Sequence, residues 1–521
     1  MTLTVDSQAR TGLEESLRLE SWYIPEPLLV FGDGKTFIDP KVGLTLYGPL
    51  KATAARITAP ASIKVGVVGT GETIASANRW IDSMKDDIVR SEPNSIQKPS
   101  FPGFRQAFGC ELVTSEDYNF TIPAEAIRNL LRFPTFEDRV EEAVDVFVRG
   151  IENVSIGSFR PDVVICALPE EVVKYCVVKR GNFGETKGRL PPNLVELVGR
   201  LRDFKKVGQV FLDNFEEHAA KIIESAFPQT TNFWRGLKAR AMQIPMPTQI
   251  MWPRTLVQTG LTRQDDSSIA WNASVGLYYK GSGFPWTMTR MQVGTCFVGV
   301  SFFRDARDVE GRMRTALAQI FTYSGEGLVL RGRSFEWNTA LGRSPHLGED
   351  GAKDLISAAI KLYNDRMGSL PSRVVVHKSS EYWEEEKRGF FDALAPIPRR
   401  DLVCFGDKHI RFFRFGKYPP LRGTAIKLSQ RNYLLYTRGY VPYLQTYPGA
   451  RAPWPLDVSH EGDSPADMVL AEVLALSKMN WNSAEFSLAV PITLLFSDRV
   501  GEVMSHVPLD KQPRQEYLYY M

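Results

Sequence analysis

The sequence predicts an α/β fold in two parts, with a Rossmann-like first half and a second half built on a mixed sheet of the RNase H kind. In the first half, short β-branched runs alternate with helical patterns, which is typical of a parallel sheet covered by helices. The second half begins with strands and places its helices after them, which favours a mixed sheet. We place the boundary between the two parts near residue 270.

The composition of the 521-residue chain is that of an ordinary globular protein, with 43% hydrophobic and 24% charged residues. The formal net charge is only +3, so any nucleic-acid surface must come from local clustering of basic residues. The five cysteines include no CxxC pair and no nearby histidines at finger spacing, which excludes a disulfide framework and a structural zinc site. Neither a signal peptide nor a long apolar run is evident, so we expect a cytoplasmic protein that does not contact membranes.

The first half is predicted from its apolar periodicity. Compact β-branched runs predict strands at 65–69, 160–168 and 248–251. Apolar residues at helical spacing predict helices at 72–88, 169–175, 212–227 and 233–242. The segment at 66–73 superficially resembles a phosphate-binding loop, but it lacks the Lys-Ser/Thr pair of a P-loop and the GxGxxG spacing. We therefore interpret it as a plain strand-to-helix turn, which argues against a small-molecule Rossmann enzyme.

The second half is predicted in the same way. Apolar runs predict strands at 296–303, near 319–331, at 373–376 and, last in the chain, at 491–496. Helical spacing predicts helices at 351–367 and 464–479.

A basic cluster near the boundary is the strongest candidate binding site. Lys238 follows Trp234 by one helical turn, which places both side chains on one face of the helix at 233–242. Gln249 lies eleven residues later at a strand end, and Lys280 is predicted to lie in a glycine turn. Together these residues could form a pocket for a terminal phosphate. On spacing alone, a solvated basic helix face remains the alternative.

The order WxxxK, then TQI, then NxSxGLYYKGxGxPW resembles the junction of the MID and PIWI domains in Argonaute proteins. Other segments resemble the short prokaryotic Argonautes, among them EPLLVFG at 26–32, FPGFR at 101–105, LPEEVVKYC at 168–176 and NWNS at 480–483. The resemblance extends from residue 26 to the end of the sequence. It implies a segment at 1–60 that packs on the core, a MID domain at 61–270 and an RNase H-like PIWI domain at 271–521.

The resemblance implies that the MID pocket holds the 5′-phosphate of a short guide strand. Its implied phosphate ligands are Lys238, Gln249 and Lys280. Trp234 occupies the place of the residue that stacks on the first guide base, and Arg235 adds positive charge. The resemblance further implies a Mg²⁺ ion at the C-terminal carboxylate, which belongs to Met521.

Cleavage by an RNase H-type centre needs several carboxylates that hold two Mg²⁺ ions. The family's first acidic position falls on Ser301, the third on Ser379 after His377, and the fourth on Asp498. The glutamate of the family has no clear counterpart, with two nearby candidates, Glu326 and Glu336. Because a hydroxyl cannot replace a bridging carboxylate, we predict an inactive centre, with an active nuclease of unusual residues as the alternative. If the centre is inactive, His377 is a satisfied polar residue at a strand end, and Asp498 is a surface or ion-pair residue.

Without cleavage, the second domain would hold a guide–target duplex, with Lys280, Arg314, Arg422 and Arg438 as candidate lining residues. Short prokaryotic Argonautes lack N and PAZ domains and pair with a separate APAZ-containing effector. The resemblance therefore implies three partners, which are a guide RNA, a single-stranded DNA target and such an effector. We favour a TIR or SIR2 NADase as the effector, with a nuclease as the alternative, in a defence system against plasmids or phage.

Overall fold

The computed structural model describes residues 19–51, 59–90, 96–177, 232–256, 265–289, 291–304, 313–322, 327–337, 344–406, 410–412, 419–447, 452–508 and 511–521. The helix predicted at 212–227 and the candidate Glu326 lie outside these residues. Within the described ranges, no helix has the length and apolar character needed to cross a bilayer.

The strands and helices are given first, because their bounds place every site residue. The strands are β1 (Ser21–Tyr23), β2 (Leu29–Val30), β3 (Thr36–Phe37), β4 (Ser62–Gly69), β5 (Glu111–Thr114), β6 (Phe120–Thr121), β7 (Val163–Ala167), β8 (Thr248–Met251), β9 (Thr287–Met288), β10 (Thr295–Arg304), β11 (Met313–Thr322), β12 (Gly327–Glu336), β13 (Arg373–Lys378), β14 (Arg399–Gly406), β15 (Thr424–Lys427), β16 (Asn432–Leu435) and β17 (Leu456–Gly462). The helices are α1 (Pro40–Tyr47), α2 (Gly71–Ser83), α3 (Phe104–Phe108), α4 (Ala124–Asn129), α5 (Phe136–Ile156), α6 (Glu170–Cys176), α7 (Phe233–Ala241), α8 (Pro253–Leu256), α9 (Asp266–Lys280), α10 (Glu349–Met367), α11 (Glu384–Ala393), α12 (Ala466–Leu476) and α13 (Ile492–Met504).

A parallel sheet forms the first half, as the alternating pattern predicts. Its strand order is β5-β4-β7-β8, and β6 also pairs with β4. Every residue of β7 is buried, as expected for a parallel strand covered on both faces. After β4, the side chain of Thr70 accepts a hydrogen bond from the backbone N–H of Thr73 and begins α2. The segment at 66–73 is therefore a capped strand-to-helix turn.

Strand β8 lies at one end of this strand order, with α7 and α9 on opposite faces of the sheet. Residues Val164, Cys166 and Ile250 pack with Phe233 and Leu237 of α7. The alternate residues of the same two strands, among them Ile165 and Met251, pack in the cluster that contains Leu277 and Tyr278 of α9. Successive strand residues point to opposite faces, so the two helices enclose β8 from both sides.

The second half is a three-layer α/β domain on a nine-stranded sheet, ordered β1-β15-β16-β17-β14-β13-β10-β11-β12. Strands β10, β11 and β12 are antiparallel, whereas β13 and β14 run parallel to β10. One face of the central strands packs against α10 and α11. Buried residues of the other face belong to the cluster that contains α12 and α13. This is the mixed, RNase H-like architecture that the order of strands and helices predicts.

The predicted final strand at 491–496 is wrong, because this segment begins helix α13. The buried positions Ile492, Phe496 and Val500 recur every four residues and continue to Val503, which is the period of a helix face. Pro491 precedes the first helical residue, where its fixed φ and missing N–H cost nothing. The apolar run TLLF is too short to separate a strand from a buried helix by pattern alone.

Helix α9 is continuous from Asp266 to Lys280, so the predicted boundary near residue 270 falls inside it. The N-terminal segment contributes strands to two sheets. Strand β1 pairs with β15 in the nine-stranded sheet, and β2 pairs with β9 in a three-stranded sheet. The division at residues 60 and 270 stays a prediction.

A buried ion cluster joins the N-terminal segment to the second domain. The carboxylate of Glu26 accepts hydrogen bonds from Arg422 Nε at 2.8 Å and from Lys478 Nζ at 3.0 Å. Lys478 also donates to the carbonyl of Ile38, at 2.6 Å. Burial opposes ionisation of Glu26, but the two cations hold its pKa below the ordinary value. Arg422 is 1% exposed, so its predicted role as a channel-lining residue is wrong.

Replacement of Glu26 by Ala should lower the free energy of unfolding by about 3 kcal/mol, because it leaves two buried cations without their carboxylate. Urea unfolding at pH 7 measures this loss. The matched control is Glu20→Ala, which removes an exposed pair with Lys427 and should cost at most about 1 kcal/mol. Equal losses in the two variants would contradict the structural importance of the cluster.

Candidate functional site

Lys238 projects from α7 to β8 and is 1% exposed. The helix begins at Phe233, where the Asn232 side chain accepts a hydrogen bond from the backbone N–H of Trp234 at 2.9 Å. Lys238 Nζ donates to the carbonyl of Thr248 at 2.6 Å and to its hydroxyl at 3.1 Å. The ammonium is therefore held at the first residue of the strand.

Lys280 approaches the same strand from the other face and is also 1% exposed. It is the last residue of α9, and the predicted glycine turn begins one residue later, at Gly281. Its ammonium donates a hydrogen bond to Gln249 Oε1. Gln249 Nε2 in turn donates to the carbonyl of Ile250 at 3.2 Å. The structure thus brings three of the predicted phosphate ligands, Lys238, Gln249 and Lys280, together at β8.

The two ammonium groups have no carboxylate partner among the described residues. Burial lowers the pKa of Lys238 to about 8. Burial and the neighbouring charge of Lys238 together lower the pKa of Lys280 well below its ordinary value. Among the described residues, the group that opposes both shifts is the buried thiol of Cys166, whose own pKa burial raises to about 12. Burial therefore disfavours the charged form of both lysines as long as no opposite charge lies beside them.

The other buried cations among the described residues are paired with carboxylates. Six lysine and arginine side chains are buried there. Four of them, Arg373, Lys378, Arg422 and Lys478, lie within 3 Å of a carboxylate oxygen. Lys238 and Lys280 are the exceptions, and an uncompensated buried charge is costly unless a ligand supplies the opposite charge.

Trp234 and Arg235 lie next to the pocket on the first turn of α7. Trp234 is half-buried and packs against both of the clusters that meet at β8. Arg235 Nη2 lies 3.4 Å from Glu502 Oε1 on α13, so part of the positive charge predicted for it is balanced by that carboxylate.

The C-terminal tail packs beside the last turn of α9. Met521 is buried in the same apolar cluster as Tyr279. The Tyr517 ring stacks on Phe496 with ring centroids 3.5 Å apart. Burial raises the pKa of Tyr517, and the Tyr279 hydroxyl is close enough to add to that rise. The tail therefore reaches the helix that ends in Lys280.

The sequence analysis missed Thr248 and Cys166. Both were read only as strand residues, and nothing in their local sequence marks them. Their role depends on a neighbouring helix that delivers an ammonium group to them, which only the assembled sheet reveals.

Ser301 lies inside β10, and Ser379 directly follows the last residue of the paired strand β13. Val300 of β10 pairs with Lys378, the last residue of β13, so Ser301 and Ser379 follow this pair on adjacent strands. The Ser301 hydroxyl is buried and has no hydrogen-bond partner in the described part of the chain, and Ser379 is exposed. Asp498 lies on α13, the helix that faces β10.

His377 lies two residues before Ser379 and is 1% exposed. Its Nδ1 is 2.8 Å from the hydroxyl of Thr493 on α13, and its Nε2 has no hydrogen-bond partner among the described residues. Burial, assisted by the charge of Arg373, lowers the pKa of His377 to about 3. The imidazole is therefore neutral at physiological pH and packs between aromatic rings.

Ser301 and Ser379 bring no carboxylate to this part of the sheet. Ser301 and Ser379 carry hydroxyls where bridging carboxylates are needed. The candidate Glu336 is exposed at the end of β12. Within the described part of the chain, no three His, Cys, Asp or Glu residues are grouped so that they could hold a metal ion.

The fold is that of Argonaute and Piwi proteins. The chain superimposes on Clostridium butyricum Argonaute bound to a guide DNA and a target DNA, with a TM-score of 0.58 at 14% identity over 96% of this chain and 55% of that one. It superimposes on Drosophila Piwi with a TM-score of 0.58 at 13% identity, over 96% and 56%. For A. aeolicus Argonaute the TM-score is 0.51 at 16% identity, over 96% and 55%. The chain thus spans about half the length of these proteins. No protein-family model and no curated protein matches the sequence.

The buried charge of Lys238 should make stability depend on pH. Between pH 8 and 10.5 the unfolded chain holds this proton while the folded protein releases it, so folding becomes more favourable as the pH rises. Relative to Lys238→Met, wild-type stability should therefore rise by up to about 1.4 kcal/mol per pH unit in this range. Urea unfolding at several pH values tests this. Parallel curves would contradict it, and the exposed variant Lys427→Met is the control.

Proposed function

We propose that this chain binds the 5′-phosphate of a short guide strand in the pocket formed by Lys238, Gln249 and Lys280. The observation that carries the proposal is the burial of two ammonium groups on the two faces of β8 with no carboxylate partner among the described residues. The Argonaute fold supports it, because Clostridium butyricum Argonaute has this fold and binds a guide DNA and a target DNA. For this chain we favour an RNA guide and a single-stranded DNA target.

A terminal phosphate is the ligand whose charge matches the pocket. A phosphate monoester carries nearly two negative charges at pH 7, which two ammonium groups balance. Charge-assisted hydrogen bonds from lysines to phosphate oxygens are short and strong in a site that excludes water. An internal phosphodiester carries a single charge, so the pocket favours a 5′ end over the middle of a strand.

Trp234 is the candidate platform for the first guide base. Its indole is half-buried beside Lys238 on α7, and stacking of a base on an aromatic ring contributes about 1–3 kcal/mol in single-strand binders. An indole N–H is a donor only, and it lies on the ring edge. Trp234 therefore contributes by stacking, while the lysines provide the phosphate contacts.

Mg²⁺ fits the described pocket less well than an anion does. The ion prefers oxygen ligands with strict geometry, and the Gln249 carboxamide oxygen already accepts a hydrogen bond from a lysine ammonium. The Mg²⁺ ion predicted at the carboxylate of Met521 stays a prediction. The lysines can balance the phosphate without it.

The second half of the proposal is recognition without cleavage. The two hydroxyls of Ser301 and Ser379 support it, because they leave the strand ends without the charge that two metal ions need. On this proposal the chain is the recognition subunit of a defence system. The enzyme is an associated APAZ-containing effector, and we favour a TIR or SIR2 NADase over a nuclease. Co-purification of proteins with this chain, expressed from its native operon, tests whether such an effector is bound.

Replacement of both Lys238 and Lys280 by Ala should weaken binding of a 5′-phosphorylated guide at least 100-fold, since each charged hydrogen bond contributes about 1.5–3 kcal/mol. Binding of the same strand with a 5′-hydroxyl should change less than twofold. Fluorescence anisotropy at one fixed salt concentration measures both affinities. Equal losses for the two strands would mean that the lysines serve only the fold or a general basic surface.

Wild-type protein loaded with a phosphorylated guide should not cut a complementary single-stranded DNA in Mg²⁺ or Mn²⁺. Asp498→Ala should leave this result unchanged, because one carboxylate cannot assemble a two-metal centre. Denaturing gel electrophoresis of labelled target detects any product. Cutting by wild type that Asp498→Ala abolishes would instead support the active nuclease.

A further inference from the structure

One face of α9 carries three residues at helical spacing that meet the loop after α12. Asn272, Gly276 and Lys280 are each four residues apart, which places them in one row along the helix. The side-chain oxygen Oδ1 of Asn272 accepts a hydrogen bond from the backbone N–H of Ala484 at 2.9 Å. This row therefore runs from a contact with the second domain to the ammonium group of the pocket.

Gly276 leaves an opening in this row. A Cβ atom at Gly276 would meet only two atoms within 4 Å, the side-chain oxygens of Gln249 at 3.8 Å and of Asn482 at 3.9 Å. Gln249 is the residue that Lys280 contacts. The opening is thus bounded by an amide from β8 on one side and by an amide from the second domain on the other.

The loop that presents Asn482 is held in place from several directions. Its backbone N–H donates to Asn480 Oδ1 at 3.1 Å, and Asn480 Nδ2 donates to Ser483 Oγ at 2.8 Å. Trp481 packs against Tyr279, with ring centroids 4.8 Å apart. The position of Asn482 is therefore defined before any ligand arrives.

The side-chain amide of Asn482 makes no hydrogen bond to any of the described residues. It is half-buried, and no hydrogen bond of its oxygen or nitrogen is found among those residues. A rigidly presented amide beside a buried pair of cations, with open space between them, is suited to an anion that needs a neutral donor.

We propose that Asn482 is a further binding residue of the pocket, which donates its amide N–H to the terminal phosphate held by Lys280 above Gly276. This assignment rests on the proposed function of the pocket. Rotation of the amide turns its nitrogen toward the ligand. Gly276 then serves as the point of close approach, where any side chain would take the room of a phosphate oxygen. The guide end is consequently held by both halves of the chain.

Binding of 5′-phosphorylated and 5′-hydroxyl strands of one sequence to the full chain tests the assignment. Asn482→Ala should weaken binding of the phosphorylated strand five- to tenfold. Asn482→Asp should weaken it at least 50-fold, because a carboxylate repels the phosphate. The hydroxyl strand should bind within twofold of wild type in both variants. Asn153→Asp, which makes the same change on the exposed face of α5, is the matched control.

Gly276→Ala provides a second, independent variant. Its Cβ would make ordinary van der Waals contacts of 3.8 and 3.9 Å, so the fold should be unaffected and the melting temperature should not fall. Binding of the phosphorylated strand should nevertheless weaken at least fivefold. Gly351→Ala, a helical glycine on α10 with a similar contact distance, is the control and should have no effect on binding.

Two different results would distinguish failure of the Asn482 assignment from failure of the proposed pocket. If wild type prefers the phosphorylated strand but the Asn482 and Gly276 variants bind it equally well, the assignment of Asn482 is overturned while the pocket stands. If wild type shows no preference for a 5′-phosphate, the proposed pocket and this assignment fall together.

Discussion

The burial of Lys238 and Lys280 on the two faces of β8 is the constraint on which the candidate site depends. Each ammonium loses its water on folding, and the charge of Lys238 raises the cost of charging Lys280. The described residues supply backbone and side-chain oxygens and one buried thiol as compensation, but no carboxylate. Such a site is unfavourable when empty and becomes favourable when an anion enters it. Stability is thereby exchanged for affinity, as is common at functional sites.

The same chain shows that this arrangement is specific to the pocket. Where a cation is buried for structural reasons, a carboxylate accompanies it. Arg373 lies between Asp401 and Glu472, and Arg422 and Lys478 share Glu26. These clusters join strands, helices and the N-terminal segment, and their charges are satisfied inside the protein. The pocket lysines differ because no described carboxylate balances their charge.

The pocket is connected to the N-terminal segment through α9 and the loop after α12. Helix α9 carries Lys280 at its end, and the loop after α12 packs on that end through Trp481. Lys478 lies earlier in the same loop. Its backbone carbonyl accepts a hydrogen bond from Trp286 Nε1 at 3.0 Å. Since Lys478 also binds Glu26, the pocket and the N-terminal segment share one rigid loop.

The sequence by itself determined the class of fold and most elements, because long apolar periodicities reflect one buried face. The strand at 248–251 and the helix at 233–242 have nearly the observed bounds. The resemblance also identified Lys238, Gln249 and Lys280, which the structure brings together. Tertiary structure alone decided the rest. It made 491–496 a helix, because a short apolar run fits either period until its neighbours bury one face. It also placed Arg422 on Glu26 and an amide from residue 482 beside Gly276, since contacts between residues hundreds of positions apart leave no local pattern in a sequence.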